Sequence, residues 1–198
     1  MQMVASSDKV KRIHPKKFAL WTGIISMLML FSAFTSAYIV RKSAGDWLYF
    51  PMTQEFFYST VVIVSSSIVL HVAYKAFVHR NYKLYQGLLT LGFFMGITFV
   101  ALQYQGWLAL NEMGINIQTN QSSSFFVLLV GVHALHVMGG ITALLISWIY
   151  ALKKSTMQWS EKGQLRLELT CTYWHVVDIL WIYVFLFIYY MPVSTSQF

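Results

Sequence analysis

The stretch FALWTGIISMLMLFSAFTSAYIV, Phe18–Val40, runs for 23 residues without one charged side chain. At ~1.5 Å per residue, a helix of this length crosses a ~30 Å hydrocarbon layer. Four further runs are long and apolar enough to do the same: Phe56–Val78, Gly87–Leu110, Phe125–Leu152 and Leu169–Met191. The three prolines, Pro15, Pro51 and Pro192, all lie outside these runs. Each helix can therefore complete the backbone hydrogen bonds that the bilayer interior demands. The expected fold is an all-α integral membrane bundle of five transmembrane helices, at about 18–40, 56–78, 87–110, 125–152 and 169–191. A basic tail, 1–17, precedes the membrane domain, 18–191, and a short external tail, 192–198, follows it.

Composition agrees. Of 198 residues, 57% are hydrophobic and 11% charged, with a mean hydropathy of +0.57, whereas soluble domains carry about 25% charge. The net charge of +7 could point to nucleic acid, but the basic residues sit in short loops beside apolar runs, where they set topology; no nucleic-acid partner is expected. The single cysteine, Cys171, excludes an internal disulfide and a cysteine-based metal site. Phe18–Val40 is much longer than the ~7–15 residues of a signal core, so it reads as an uncleaved first helix.

Lys and Arg in short loops are retained in the cytoplasm. Lys9, Lys11, Arg12, Lys16 and Lys17 precede the first run. Lys75 at the end of the second run is followed by Arg80 and Lys83 before the third, and Lys153, Lys154, Lys162 and Arg166 lie between the fourth and fifth. Twelve of the 14 basic residues thus share one face, and only Arg41 and Lys42 mark the other. The expected amino terminus is cytoplasmic and the carboxy terminus external. Trp47, Tyr49, Phe50, Trp107, Tyr189 and Tyr190 near the outer ends, with Trp159 inside, suit interfacial belts. Gly92 and Gly96 in the third run, Ser65, Ser66 and Ser67 in the second, and Gly131, Gly139 and Gly140 in the fourth are expected packing points.

An ionisable group inside a bilayer costs at least ~2.5–3.5 kcal/mol on insertion scales, so it normally faces protein and has a partner. Counted from the cytoplasmic boundary, His71 lies about 10 Å deep, His175 about 9 Å, and His136 and Asp178 about 14 Å. His175 and Asp178 share a helix face, and so do His133 and His136. The arrangement has three readings: a histidine metal or haem site, a proton path, or a polar cluster that fixes helix register and contacts lipid. His133 and His136 lack a nearby third ligand, and a bis-histidine haem would need facing helices, leaving His71 with His175. A proton path would need protonatable groups in the outer half, where mainly Gln103, Gln105 and tyrosines stand. The expected site is a lipid or structural polar cluster of His71, His136, His175 and Asp178, with no catalytic residue and no bound metal.

Two strings bear on identity. Tyr173-Trp174-His175-Val176-Val177-Asp178-Ile179-Leu180-Trp181 resembles the Tyr-Trp-His-Phe-Val-Asp-x-x-Trp of subunit III of haem–copper respiratory oxidases such as cytochrome c oxidase. Phe125-Phe126 followed by His133-Ala134-Leu135-His136-Val137 and Gly140 is similar to that family's Phe-Phe … His-Gly-x-His-Val-x-x-Gly. Phe31, Phe34, Ala37 and Tyr38, the serine run, and Gly92 with Gln103 echo it more weakly. The chain departs at Met27 and Gly106, where the family often has acids, which leaves no carboxylate there to act as a proton antenna. The family often has seven helices, so the resemblance is to a short, five-helix form.

The resemblance implies a non-redox accessory subunit of a proton-pumping terminal oxidase in the bacterial cytoplasmic membrane. Such a subunit packs on catalytic subunit I, beside subunit II, and holds phospholipid in a cleft. It supports sustained turnover and proton uptake, while haem and copper reside in partner subunits and a larger respiratory supercomplex is possible. His133, Gly140, Tyr173, Trp174, Trp181 and Gln103 are then family-motif packing residues, and Asp178→Asn is expected to loosen the bundle or its lipid and to shorten enzyme lifetime under turnover. The reading from a different class is a stand-alone small transporter or haem-binding membrane protein, although neither inverted repeats nor broken helices are visible.

Overall fold

The computed structural model describes residues 14–45, 47–48, 50, 52–115, 120–152 and 161–190. Five helices follow in order: α1 Pro15–Lys42, α2 Gln54–Val78, α3 Tyr82–Glu112, α4 Gln121–Leu152 and α5 Glu161–Tyr190. Among the described residues there is no strand. All five are long and apolar enough to cross a membrane. Most of the expected tails, as well as Tyr49, Pro51, Lys153, Lys154 and Trp159, lie outside the described residues.

The helices outrun the apolar runs at most ends, because hydropathy marks the edge of the hydrocarbon while capping chemistry marks the end of the helix. α3 begins five residues before Gly87, where the Asn81 side chain accepts the Leu84 N–H at 3.3 Å. α1 begins at Pro15, whose missing N–H is no loss in the first turn, behind a His14 ring that accepts the Lys16 N–H at 3.3 Å. Between α2 and α3 the chain turns on three residues. Arg80 adopts a left-handed φ of 55°, Arg80 N–H donates to the Phe77 carbonyl at 3.0 Å, and Asn81 N–H to the Ala76 carbonyl at 2.9 Å. This is the paired C-terminal closure of a helix, with arginine where glycine is usual. The same pair of bonds ends α3, where Gly114 (φ 77°) takes the left-handed place.

α2 and α3 form the most extensively packed pair, α5 packs on α1, α2 and α4, and α1 rests on α4 and α5. Large apolar side chains point both inward and outward. Met29, Val40, Leu135 and Ile179 are each exposed by about two-thirds, as lipid contact requires. The interior mixes apolar side chains such as Phe31, Phe56, Leu70 and Leu129 with small polar ones: Thr35, Ser59, Ser66 and Ser147 are all buried. Close backbone approach supplies the packing. A Cβ on Gly92 would come within 2.6 Å of the Leu70 side chain, so only glycine lets α2 and α3 meet there.

Candidate functional site

A single hydrogen-bonding device recurs across the bundle. A hydroxyl on one helix donates its proton to a carbonyl one turn back, which leaves its lone pairs to accept from a donor on another helix. Ser66 Oγ donates to the Ile63 carbonyl at 2.7 Å and accepts from Trp174 Nε1–H at 3.0 Å. Thr60 Oγ1 donates to the Phe56 carbonyl at 2.7 Å and accepts from Trp181 Nε1–H at 2.9 Å. Ser59 does the same for the Gln103 amide at 3.0 Å, and Thr90 for Trp148 Nε1–H at 2.8 Å. An indole can only donate, and in a bilayer an unmatched N–H is costly. The serine and threonine positions of α2 therefore set the register of α5.

Trp174 occupies a slot cut by glycines. A Cβ on Gly96 of α3 would lie 2.8 Å from the indole, and one on Gly140 of α4 would lie 3.0 Å from it. With Ser66 on α2, four helices meet at this fully buried ring. The adjacent Tyr173 donates its hydroxyl to the His136 carbonyl at 3.0 Å, which pins α5 to α4. Trp181, about two turns toward the other end, packs among Phe56, Phe99 and His133.

The structure distributes the expected polar cluster over two places. His71 and His175, from α2 and α5, bring their rings within 5.9 Å, and Ser67 Oγ bonds His175 Nδ1 at 2.5 Å. Asp178 lies within reach of the same Ser67 hydroxyl. That hydroxyl is engaged by His175, however, and neither carboxyl oxygen of this buried side chain has a hydrogen-bond partner among the described residues. His175 and Asp178, although three apart on one helix, are not bonded to each other. His136 does not join this group. It is on α4, where its Nδ1 bonds the Val132 carbonyl at 2.8 Å and its ring packs edge-on to Phe31 of α1. Equal depth in the membrane placed it with the others, but its helix face turns it toward α1.

His133 is buried in an aromatic cage of Phe31, Phe99 and Trp181, with the Trp181 ring 5.0 Å away, and neither of its nitrogens has a hydrogen-bond partner among the described residues. Gln103 reaches Ser59 through its amide nitrogen while its Oε1 is unmatched. His71 and His175 supply two imidazoles from different helices; among the described residues no third His, Cys, Asp or Glu completes a metal-binding group with them. Sequence reading singled out the indoles and marked Ser66 and Ser67 as packing points, but it did not name Ser59 or Thr60, the acceptors that hold Gln103 and Trp181. The signal was present as hydroxyls at helical spacing opposite the tryptophans, but pairing them needs the α2–α5 register.

The comparisons with known proteins converge on this same region. A family model described as cytochrome c oxidase subunit III matches residues 49–193. The chain is 25% identical over 192 residues to the cytochrome bo(3) ubiquinol oxidase subunit 3 of Buchnera aphidicola subsp. Acyrthosiphon pisum, covering 93% of this chain and 90% of that one. It is 32% identical over 131 residues to the cytochrome c oxidase subunit 3 of Synechocystis sp., covering 66% of this chain and 54% of that one. It is 25% identical over 197 residues to the Bacillus subtilis cytochrome c oxidase subunit 3, covering 94% and 92%. The matched region contains α2 to α5 and with them the indole slots and the histidine pair, and the chain belongs to the cytochrome c oxidase subunit III family.

Proposed function

We propose that this chain is a non-redox accessory subunit of a proton-pumping terminal oxidase in a bacterial cytoplasmic membrane, with its amino terminus on the cytoplasmic side. The observation that carries the reading is the engagement of the motif itself. Trp174, Trp181, Tyr173 and His175 all make hydrogen bonds to neighbouring helices of this chain, so they act as the bundle's clamps. The names of the relatives, which include both cytochrome c and ubiquinol oxidases, support assembly with oxidase subunits I and II and leave either electron donor compatible. Haem and copper would then reside in those partners.

A lipid role has its own support. A groove of about 460 Å³ lies between α1 and α5, lined by Trp21, Leu28, Phe31, Ile179, Leu180 and Tyr183 among others. The Lys17–Glu168 ion pair, at 2.5 Å, ties α1 to α5 about one turn from Trp21 and about two turns from Val176 on its wall. Such a groove suits an acyl chain, and a lipid lodged there would steady the loosely packed α1 against α5. Support of proton uptake by the catalytic subunit follows as a consequence of this steadying, with no proton carried by the chain.

The test is purification of the tagged chain from native membranes in mild detergent. A reduced-minus-oxidised spectrum with haem bands in co-purified larger subunits, together with oxygen consumption, is the expected result. A colourless chain recovered alone, under conditions that keep oxidase complexes intact, would refute the reading.

A further inference from the structure

His71 is the anomaly of the surface. It is solvent-exposed in the isolated chain, about 10 Å of helix from the cytoplasmic end of α2, with Ile68 and Val72 near it on α2 and Ile179 one turn from its partner His175 on α5; these three are 63%, 41% and 66% exposed. It makes no hydrogen bond among the described residues. An imidazole at this depth gains nothing from acyl chains, and an unmatched polar group in hydrocarbon is costly. Its side chain is too short to reach the headgroups by the route that lysine and arginine take. The neighbouring His175 repeats the condition. Ser67, unlike Ser59, Thr60 and Ser66, makes no bond back to its own helix, so its proton is available to His175 Nδ1. That pairing leaves the Nε2 edge of the half-buried His175 without a partner among the described residues. Behind the pair, on the same seam, Asp178 is buried with both oxygens unmatched.

We infer that the α2–α5 face centred on His71 and His175 is the docking surface for a transmembrane helix of another subunit, one that presents a carboxyl or amide side chain in the cytoplasmic half of the bilayer. The inference rests on the accessory-subunit reading and adds where the contact is made. Exposed apolar side chains around the two imidazoles provide the rim, and the paired rings provide the hydrogen bonds that a lipid tail does not offer. Leu135 of α4, equally exposed at 66% and beside Met138 at 56%, is the comparison position on another face of the bundle.

The experiment places a photo-crosslinking residue at Ile68, and separately at Leu135, in the tagged chain within its native membrane, followed by purification. The expected result is a covalent adduct with a co-purified membrane subunit from position 68 and none from position 135. An adduct from position 135 but not 68, or none from 68 while haem-bearing subunits still co-purify, would overturn the surface and leave the accessory reading standing. Failure of the unmodified chain to co-purify with those subunits would overturn both. Polar rescue is the second readout: His71→Leu should weaken retention of the chain in the complex by about threefold, the usual scale of one interhelical hydrogen bond in a membrane, and His71→Gln should restore it. Equal retention of wild type, His71→Leu and His71→Gln would mean that lipid or water covers the pair.

Discussion

Trp174 shows at the scale of one residue how the bundle tolerates change. Its ring fits because Gly96 and Gly140 carry no Cβ, and a methyl at Gly96 would meet the rigid indole at 2.8 Å. Gly96→Ala should therefore cost about 1–3 kcal/mol, read as a lower melting temperature of the purified chain in detergent. Gly139→Ala, whose Cβ would meet only the Tyr173 hydroxyl at 3.4 Å, should stay within about 0.5 kcal/mol. For Asp178 the structure bears on one part of the expectation, the loosening of the bundle. Because its carboxyl makes no hydrogen bond among the described residues, Asp178→Asn removes no clamp seen there, and the chain should fold and melt as wild type. Any effect of that substitution is expected in the assembled complex, as a shorter lifetime under turnover; a melting temperature several degrees lower for the isolated variant would show that the carboxyl is paired after all.

Between elements, the α2–α3 turn carries the clearest strain. Arg80 holds a left-handed φ of 55°, which costs a non-glycine residue on the order of 1 kcal/mol. Arginine there adds a positive charge beside the negative end of α2 and on the face expected to be cytoplasmic. Arg80→Gly should relieve the backbone strain and slow amide exchange in the last turn of α2; unchanged or faster exchange would assign the turn's stability to the charge instead. Five helices and their order were legible because each run is long, apolar and free of proline. Their ends were not, because Asn81 and His14 cap by side-chain acceptors that hydropathy ignores. The candidate site was legible in part for a similar reason. The motif marked Trp174, His175 and Trp181, and depth placed His71 near His175. Depth carries no azimuth, so it also grouped His136 with them, whereas its face packs on Phe31. Gln103 and the serine run were visible as polar residues in apolar helices, yet their pairing depends on which helices touch.

Over the whole molecule, the half-buried α5 is the axis on which α1, α2 and α4 are assembled. α1 is the loosest member, held by the Lys17–Glu168 pair, the Thr35–Tyr183 hydroxyl contact at 2.9 Å and the aromatic edge of Phe31. The ion pair is partly exposed and contributes at most about 1 kcal/mol, so a lipid in the α1–α5 groove has a stabilising role to fill. Ile179→Trp, which fills that groove, should reduce the phospholipid retained per complex on purification; unchanged lipid content would place the bound lipid elsewhere. The claim that joins these scales is that the chain serves the oxidase by holding structure and lipid around a catalytic subunit that carries the redox centres. The most direct measurement is the number of turnovers before inactivation, compared for oxidase purified with this chain and from cells lacking it. The account predicts the same haem spectrum and initial oxygen-consumption rate, with far fewer turnovers in its absence; loss of the haem bands, or an identical lifetime, would contradict it.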